Sequence, residues 1–172
     1  MDFAALWDQA LPFDRFVQET APQHQGLWES VYRTARPPLQ RVELPGSTHL
    51  LVIAEDWCGD ASTTVPILAK WVESQPFWSL RILRRDEHPA LMDRYLSGVA
   101  RSIPIVIALD EGFYELGHWG PRPRELQAWV MANKDRLSNE ERHREVRRWY
   151  ARDRGASTIR EVLEAIGGAP AR

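Results

Sequence analysis

Cysteine is almost missing from this sequence. Cys58 is the single cysteine in 172 residues, which excludes a disulfide within the chain and fits a reducing compartment. Long apolar runs are missing too. None approaches the roughly 18 residues of a membrane-spanning helix, so no membrane role is expected. Net charge is nearly absent: 22 Lys and Arg stand against 24 Asp and Glu, leaving -2, and no overall field gathers nucleic acid or an anionic membrane. Met1-Asp2-Phe3 lacks the basic region and cleavage site of a signal peptide, and the expected location is the cytoplasm. The histidines, His24, His49, His88, His118 and His143, have no metal-ligand spacing, and no glycine-rich loop could cradle a phosphate. Neither a metal nor a cofactor is therefore expected. Internal repeats and low-complexity segments are lacking as well.

What is present suits one globular unit. Hydrophobic residues make up 44%, enough for a sizeable core, and the eight tryptophans read first as core and groove filling. Residues 1–45 form an N-terminal extension. Its apolar spacings predict a helix with Phe3, Leu6 and Trp7, a second opened by Pro12 with Phe13, Phe16 and Val17, and a third over Gln25–Thr34. Residues 46–133 carry the core. A turn at Pro45-Gly46-Ser47 precedes a buried strand, His49 to Ala54. A turn bearing Cys58 follows, then a helix to Glu73 with Pro66 inside it. Trp78–Leu83, Ile105–Leu109 and Phe113–Trp119 read as strands, the last two joined by a hairpin turn at Asp110-Glu111-Gly112. Helices are expected from Pro89 to near Gly98, holding Leu91, Met92, Tyr95 and Leu96, and over Pro123–Asn133. Residues 134–172 add two more, Asn139–Asp153 and one opened by a capping box at Thr158-Ile159-Arg160-Glu161 and stopped by Gly167-Gly168. The result is an α/β fold, a mixed four- to five-stranded sheet flanked by helices, with helical extensions at both ends.

Several of these features, in this order, resemble the thioredoxin superfamily. Trp57-Cys58-Gly59 resembles the W-C-G-P-C active site, and Pro66 falls where that family's active-site helix has its proline. Asp86 to Pro89 resembles the family's D-x-x-P loop, Ile103-Pro104 its cis-proline dipeptide, and Trp119-Gly120 the end of its hairpin. W-C-G-D-A also looks like a bacterial thioredoxin-like subgroup that keeps only the first cysteine. The resemblance implies a thioredoxin-like fold with Cys58 and Asp60 as catalytic candidates. It implies a substrate groove beside Trp57, Gly59, Ile103, Pro104 and Trp119. Three departures bear on activity. Ala61 replaces the resolving cysteine, Asp60 replaces the active-site proline, and Val52 and Ile82 replace the family's buried acid and its lysine partner.

A lone thiol can attack a disulfide but cannot release the adduct by itself. The expected activity is therefore single-cysteine thiol-disulfide exchange on protein or peptide disulfides or small thiols. A low-molecular-weight thiol from outside the chain would resolve the mixed disulfide. The alternative is a non-catalytic module that binds a protein or peptide along the proline loop, as an added strand. A helix N-terminus lowers a thiol pKa, whereas Glu55, Asp56 and Asp60 would raise it, and the sequence leaves the sign open. Asp60 and Ser62 to Thr64 also suit ordinary helix capping. Arg142, Arg144, Arg147, Arg148, Arg152 and Arg154 form a basic stretch, but Glu140, Glu141, Glu145 and Asp153 are interleaved with them. It reads as a solvated helix, and no nucleic-acid partner is expected.

Overall fold

A continuous apolar run is buried on both sides only in the middle of a covered sheet, and Leu50 to Ala54 takes that place. The computed structural model describes residues 1–38, 42 and 46–167. Its strands are β1 (Leu11–Pro12), β2 (Thr48–Ala54), β3 (Trp78–Arg84), β4 (Ile105–Leu109) and β5 (Glu115–Trp119). They form one mixed sheet in the order β1-β3-β2-β4-β5, with β2 and β3 parallel and the other neighbours antiparallel. Its helices are α1 (Phe3–Gln9), α2 (Phe13–Gln18), α3 (Pro22–Thr34), α4 (Gly59–Val72), α5 (Pro89–Met92), α6 (Arg124–Asn133), α7 (Asn139–Asp153) and α8 (Ala156–Ala165). The parallel pair is joined by α4, as a parallel connection requires. The expected mixed sheet flanked by helices is thus present, with five strands.

Side chains alternate along β2 and so feed two cores. Leu50, Val52 and Ala54 point to one, packed with Phe16, Trp28, Leu68, Trp71 and Val162. Leu51 and Ile53 point to the other, with Phe3, Trp7, Leu91 and Met92. The first of these cores lies under α4, the second under α1 and α5. The N-terminal helices also hold the start of α4. The Trp28 indole N–H donates to the Asp56 carbonyl at 3.0 Å, and the Ala21 amide donates to the Asp56 carboxylate at 2.8 Å.

The structure departs from sequence expectation at four places. Leu11-Pro12 pairs with β3 at the sheet edge, where a proline needs no ladder donor, and the helix begins only at Phe13. α3 starts at Pro22, ahead of Gln25, because a proline suits the first helical turn. α5 ends at Met92. Beyond it, the Tyr95 hydroxyl donates to Glu115 at 2.8 Å and Leu96 is exposed. α8 starts at Ala156, so Thr158 lies buried inside the helix and caps nothing. Glu161 instead serves the core, accepting from the Trp119 indole at 3.0 Å and the Arg124 amide at 3.1 Å. The capping box occurs at α7, between Ser138 and Glu141. Pro45 and Gly168, expected in a turn and a helix stop, lie outside the described residues.

Trp28 is fully buried and holds both a core position and the Asp56 carbonyl. Trp28→Ala should cost about 3–5 kcal/mol, the usual range for emptying an aromatic core site. Urea unfolding followed by circular dichroism measures this, and a loss under about 1 kcal/mol would contradict the packing described.

Candidate active site

β2 ends at Ala54, and the chain turns through Glu55-Asp56-Trp57 into Cys58, the N-cap residue of α4. The Cys58 amide closes the turn by donating to the Glu55 carbonyl at 3.2 Å. Each acid in this stretch is tied to a different part of the protein. Glu55 is buried, accepts from the Asp86 amide at 2.9 Å and lies 3.9 Å from Arg84. Its burial raises its pKa against the opposing pull of that amide. Asp56 holds the N-terminal helices, as described above. Asp60 holds the C-terminal part: Arg122 Nη2 lies 2.6 Å from Asp60 Oδ2, and the Tyr150 hydroxyl donates to Oδ1 at 2.9 Å. Burial, with the Asp60 charge behind it, pushes the Tyr150 hydroxyl pKa far above its usual range. That proton stays on Tyr150 as a donor.

Cys58 is half-buried and touches both cores. Its Sγ donates to the Ile103 carbonyl at 3.5 Å, and the Ile103–Pro104 peptide is cis. A sulfur facing a carbonyl keeps its proton more readily. The thiol pKa is raised, first by burial and then by the Asp60 charge. The Ala61 and Asp60 amides and the Arg122 guanidinium oppose this without overcoming it. Among Glu55, Asp56 and Asp60, Asp60 alone acts on the sulfur. Burial therefore decides the sign that the sequence left open, and the resting thiol is protonated at neutral pH.

Capping is not what the polar residues at the start of α4 do. Ser62 and Thr63 donate back to the Gly59 carbonyl, and Thr64 donates to the Asp60 carbonyl. No side chain bonds the N-cap. Where a second thiol or a proton relay would lie, the protein is apolar. Ala61 is fully buried, and Val52 and Ile82 are direct neighbours across β2 and β3 in the same core.

The candidate groove residues divide by exposure. Trp57 is 50% exposed and lies under the Arg85 guanidinium, 4.9 Å from its ring centre, and Gly59 is exposed beside it. Ile103, Pro104 and Trp119 are buried, and the Trp119 indole is committed to Glu161. Of the five expected groove residues, Trp57 and Gly59 are the two that present surface. The loop after β5 lies against the proline loop at Gly120, whose φ is +134° and where a Cβ would strike the Pro104 carbonyl. Glycine at that point lets Arg122 arrive at Asp60. Sequence reading missed Arg122, Tyr150 and Glu161 as part of this region. Tyr150 is separated from Asp60 by 90 positions, and only the helical spacing of Val146, Trp149 and Tyr150 within a charged segment marks it as inward-facing.

Comparison with known proteins supplies the family. A family model described as thioredoxin matches residues 10–152. The chain belongs to the thioredoxin family. The match runs past residues 46–133 at both ends, so it takes in α2, α3 and nearly all of α7. Two solved structures have the same fold. One is a protein of unknown function from Pseudomonas aeruginosa, 24% identical, with a TM-score of 0.64, covering 91% of this chain and 99% of its own. The other is an HIV epitope-scaffold, also 24% identical with a TM-score of 0.64, covering 88% of this chain and 96% of its own. No curated protein matches the chain. Among the described residues, no group of His, Cys, Asp and Glu is arranged to hold a metal, and no helix is long and apolar enough to cross a membrane.

The opposed effects of Asp60 and Arg122 on the thiol give a signed prediction. Asp60→Asn removes a charge that raises the Cys58 pKa, so alkylation by iodoacetamide at pH 7.5 should quicken. Arg122→Ala leaves Asp60 unopposed, and alkylation should slow. Rates that change in the same direction in both variants would contradict this electrostatic account.

Proposed function

We propose that the protein is a thiol-disulfide exchange protein that uses Cys58 alone and depends on an external thiol. The observation that carries this reading is the placement of Cys58 Sγ. It lies at the N-terminus of α4, where the amides of residues 60 and 61 oppose the rise in its pKa, and faces the cis-proline loop at 3.5 Å. The Cys58 thiolate attacks one sulfur of a disulfide R–S–S–R′. A Cys58–S–S–R bond forms, the original S–S bond breaks, and R′–S⁻ leaves with the electron pair and takes a proton from solvent. A second thiolate, from a low-molecular-weight thiol, attacks the R sulfur of this adduct and expels Cys58 as thiolate. Asp60 is a positioning residue in this scheme: its two oxygens are held by Arg122 and Tyr150. The substrates are protein or peptide disulfides or small mixed disulfides. The setting is a reducing compartment such as the cytoplasm, which supplies the second thiol.

The raised thiol pKa sets the kinetics. Reaction draws on a small thiolate fraction, though each thiolate is more nucleophilic for being more basic. Exchange should be slow at neutral pH and climb with pH beyond the usual thiol value of about 8.5.

A second reading is favoured by the same raised pKa. A protonated, half-buried cysteine with apolar residues where a resolving thiol and relay would lie suits a binding module that performs no exchange. One experiment separates the two. A mixed disulfide on Cys58 is formed with a dye-labelled thiol, and the dye's release by 2-mercaptoethanol is followed. Exchange predicts adduct formation from a small disulfide, release that grows with pH, and loss of both in Cys58→Ala. No adduct after hours at pH 9 would leave the binding reading alone.

A further inference from the structure

The arginines of α7 alternate with acids along the sequence but not in space. One face of α7, carrying Arg142, Val146, Arg147, Tyr150 and Arg154, lines two adjoining clefts. The first, about 500 Å³, is bounded on its far side by Trp57, Gly59 and Asp60, the residues on both sides of Cys58. The second, about 420 Å³, shares Thr63, Arg147 and Tyr150 with it and adds Arg36. The one carboxylate lining either cleft is Asp60, which Arg122 already neutralises. Arg36, Arg142, Arg147 and Arg154 form no ion pair with a carboxylate among the described residues, although Arg142 donates to the Lys134 and Leu137 carbonyls and the Asn139 side chain, and Arg36 to the Arg33 and Ala35 carbonyls. The acids of α7 lie away from the clefts: Glu140 is exposed, Glu141 caps the helix, Glu145 pairs with Arg148, and Asp153 holds Ser157. A protein with net charge -2 thus gathers arginines that no carboxylate neutralises on a face that opens beside its thiol turn.

We propose that this cleft binds the external thiol of the exchange reaction, and that this thiol is a small polyanion carrying at least two carboxylate or phosphate groups. The proposal rests on the exchange reading given above. Three observations select the ligand class. The cleft has small-molecule dimensions. Arg147, which has no partner among the described residues, and Arg142, which no carboxylate neutralises, suit planar oxyanions, which guanidiniums bind with two parallel hydrogen bonds. The cleft's remaining walls, Leu27, Trp57, Val130 and Val146, accept an apolar stem between the charged end and the sulfur. Seated there, one anionic group lies on Arg147 and the other beside Arg142, and the sulfur is carried to the Trp57–Asp60 turn. The exchange itself balances as written above, with the polyanion as the second thiol.

The test has two arms. In the first, the dye-labelled Cys58 adduct is resolved by mercaptosuccinate, which has two carboxylates, by neutral 2-mercaptoethanol, and by cationic cysteamine. After correction for thiolate fraction, mercaptosuccinate should be favoured over 2-mercaptoethanol about tenfold, the effect of one charge-assisted contact. Arg147→Glu should abolish that preference, and Arg144→Glu, the same charge reversal on an exposed residue outside both clefts, should keep it. In the second arm, methylthiosuccinate, which has no thiol to exchange, is titrated into Cys58→Ala by NMR. The amides of Thr63, Arg147 and Tyr150 should shift, and Arg147→Glu in that background should remove the shifts. Binding without exchange by any thiol would defeat the exchange reading and leave the anion cleft standing. No binding, or equal preference in wild type and Arg147→Glu, would overturn the cleft. Tighter binding of a thiol-free acidic peptide than of methylthiosuccinate would overturn the small-molecule assignment.

Discussion

The carboxylate of Asp60 is the point on which this site depends. It sits in the first turn of α4, beside the thiol, and is held by Arg122 from the loop after β5 and by Tyr150 from α7. It thereby draws three distant parts of the chain to one place. Its side chain is only 11% exposed, so its charge has little water to rely on. Arg122 and Tyr150 supply the compensation that burial requires, and in doing so they fix α7 against the start of α4. The cationic face of α7 then borders the thiol turn, and no separate device is needed to put it there.

The same constraint explains why a family fold carries an altered site. A second cysteine would stand at residue 61, and a buried acid with its lysine at residues 52 and 82. Here those places belong to the core: Ala61, Val52 and Ile82 are all buried in one cluster. Apolar side chains there stabilise the core and avoid the cost of burying an ionised pair, which often exceeds the attraction gained. The thiol loses a resolving partner and a proton relay together. What it keeps is its place at the N-terminus of α4 and its face toward Pro104. Charge near the thiol is moved outward, to Asp60 and the arginines around it.

The sequence made the scaffold legible because that information is local. The apolar run into Cys58, the proline inside the following helix, and the Asp110-Glu111-Gly112 turn each carry their own physical reason, and all three appear in the structure. Boundaries were less legible where a tertiary partner overrides local preference. Thr158 and Glu161 have the spacing of a capping box, yet Gly155 opens the helix earlier and Glu161 serves Trp119 and Arg124. Trp119 was expected to face a groove, but it lies in the core. The site's electrostatics were the least legible part. Nothing near Asp60 in sequence announces Arg122 or Tyr150, and acids interleaved along α7 hid the segregation of its arginines, which becomes apparent only when the helix is wound and packed.

The account's central claim is that burial, with the Asp60 charge behind it, keeps Cys58 protonated at neutral pH while Arg122 and two backbone amides keep a thiolate within reach. The direct measurement is the ionisation of Cys58 itself, read from the Cβ chemical shift of ¹³C-labelled cysteine between pH 5 and about 11. With one cysteine in the chain, a single resonance reports it. The account predicts a transition centred above the ordinary thiol value of about 8.5. A transition centred below neutrality would contradict it, because a thiolate at rest would mean that the helix terminus and Arg122 outweigh burial and Asp60.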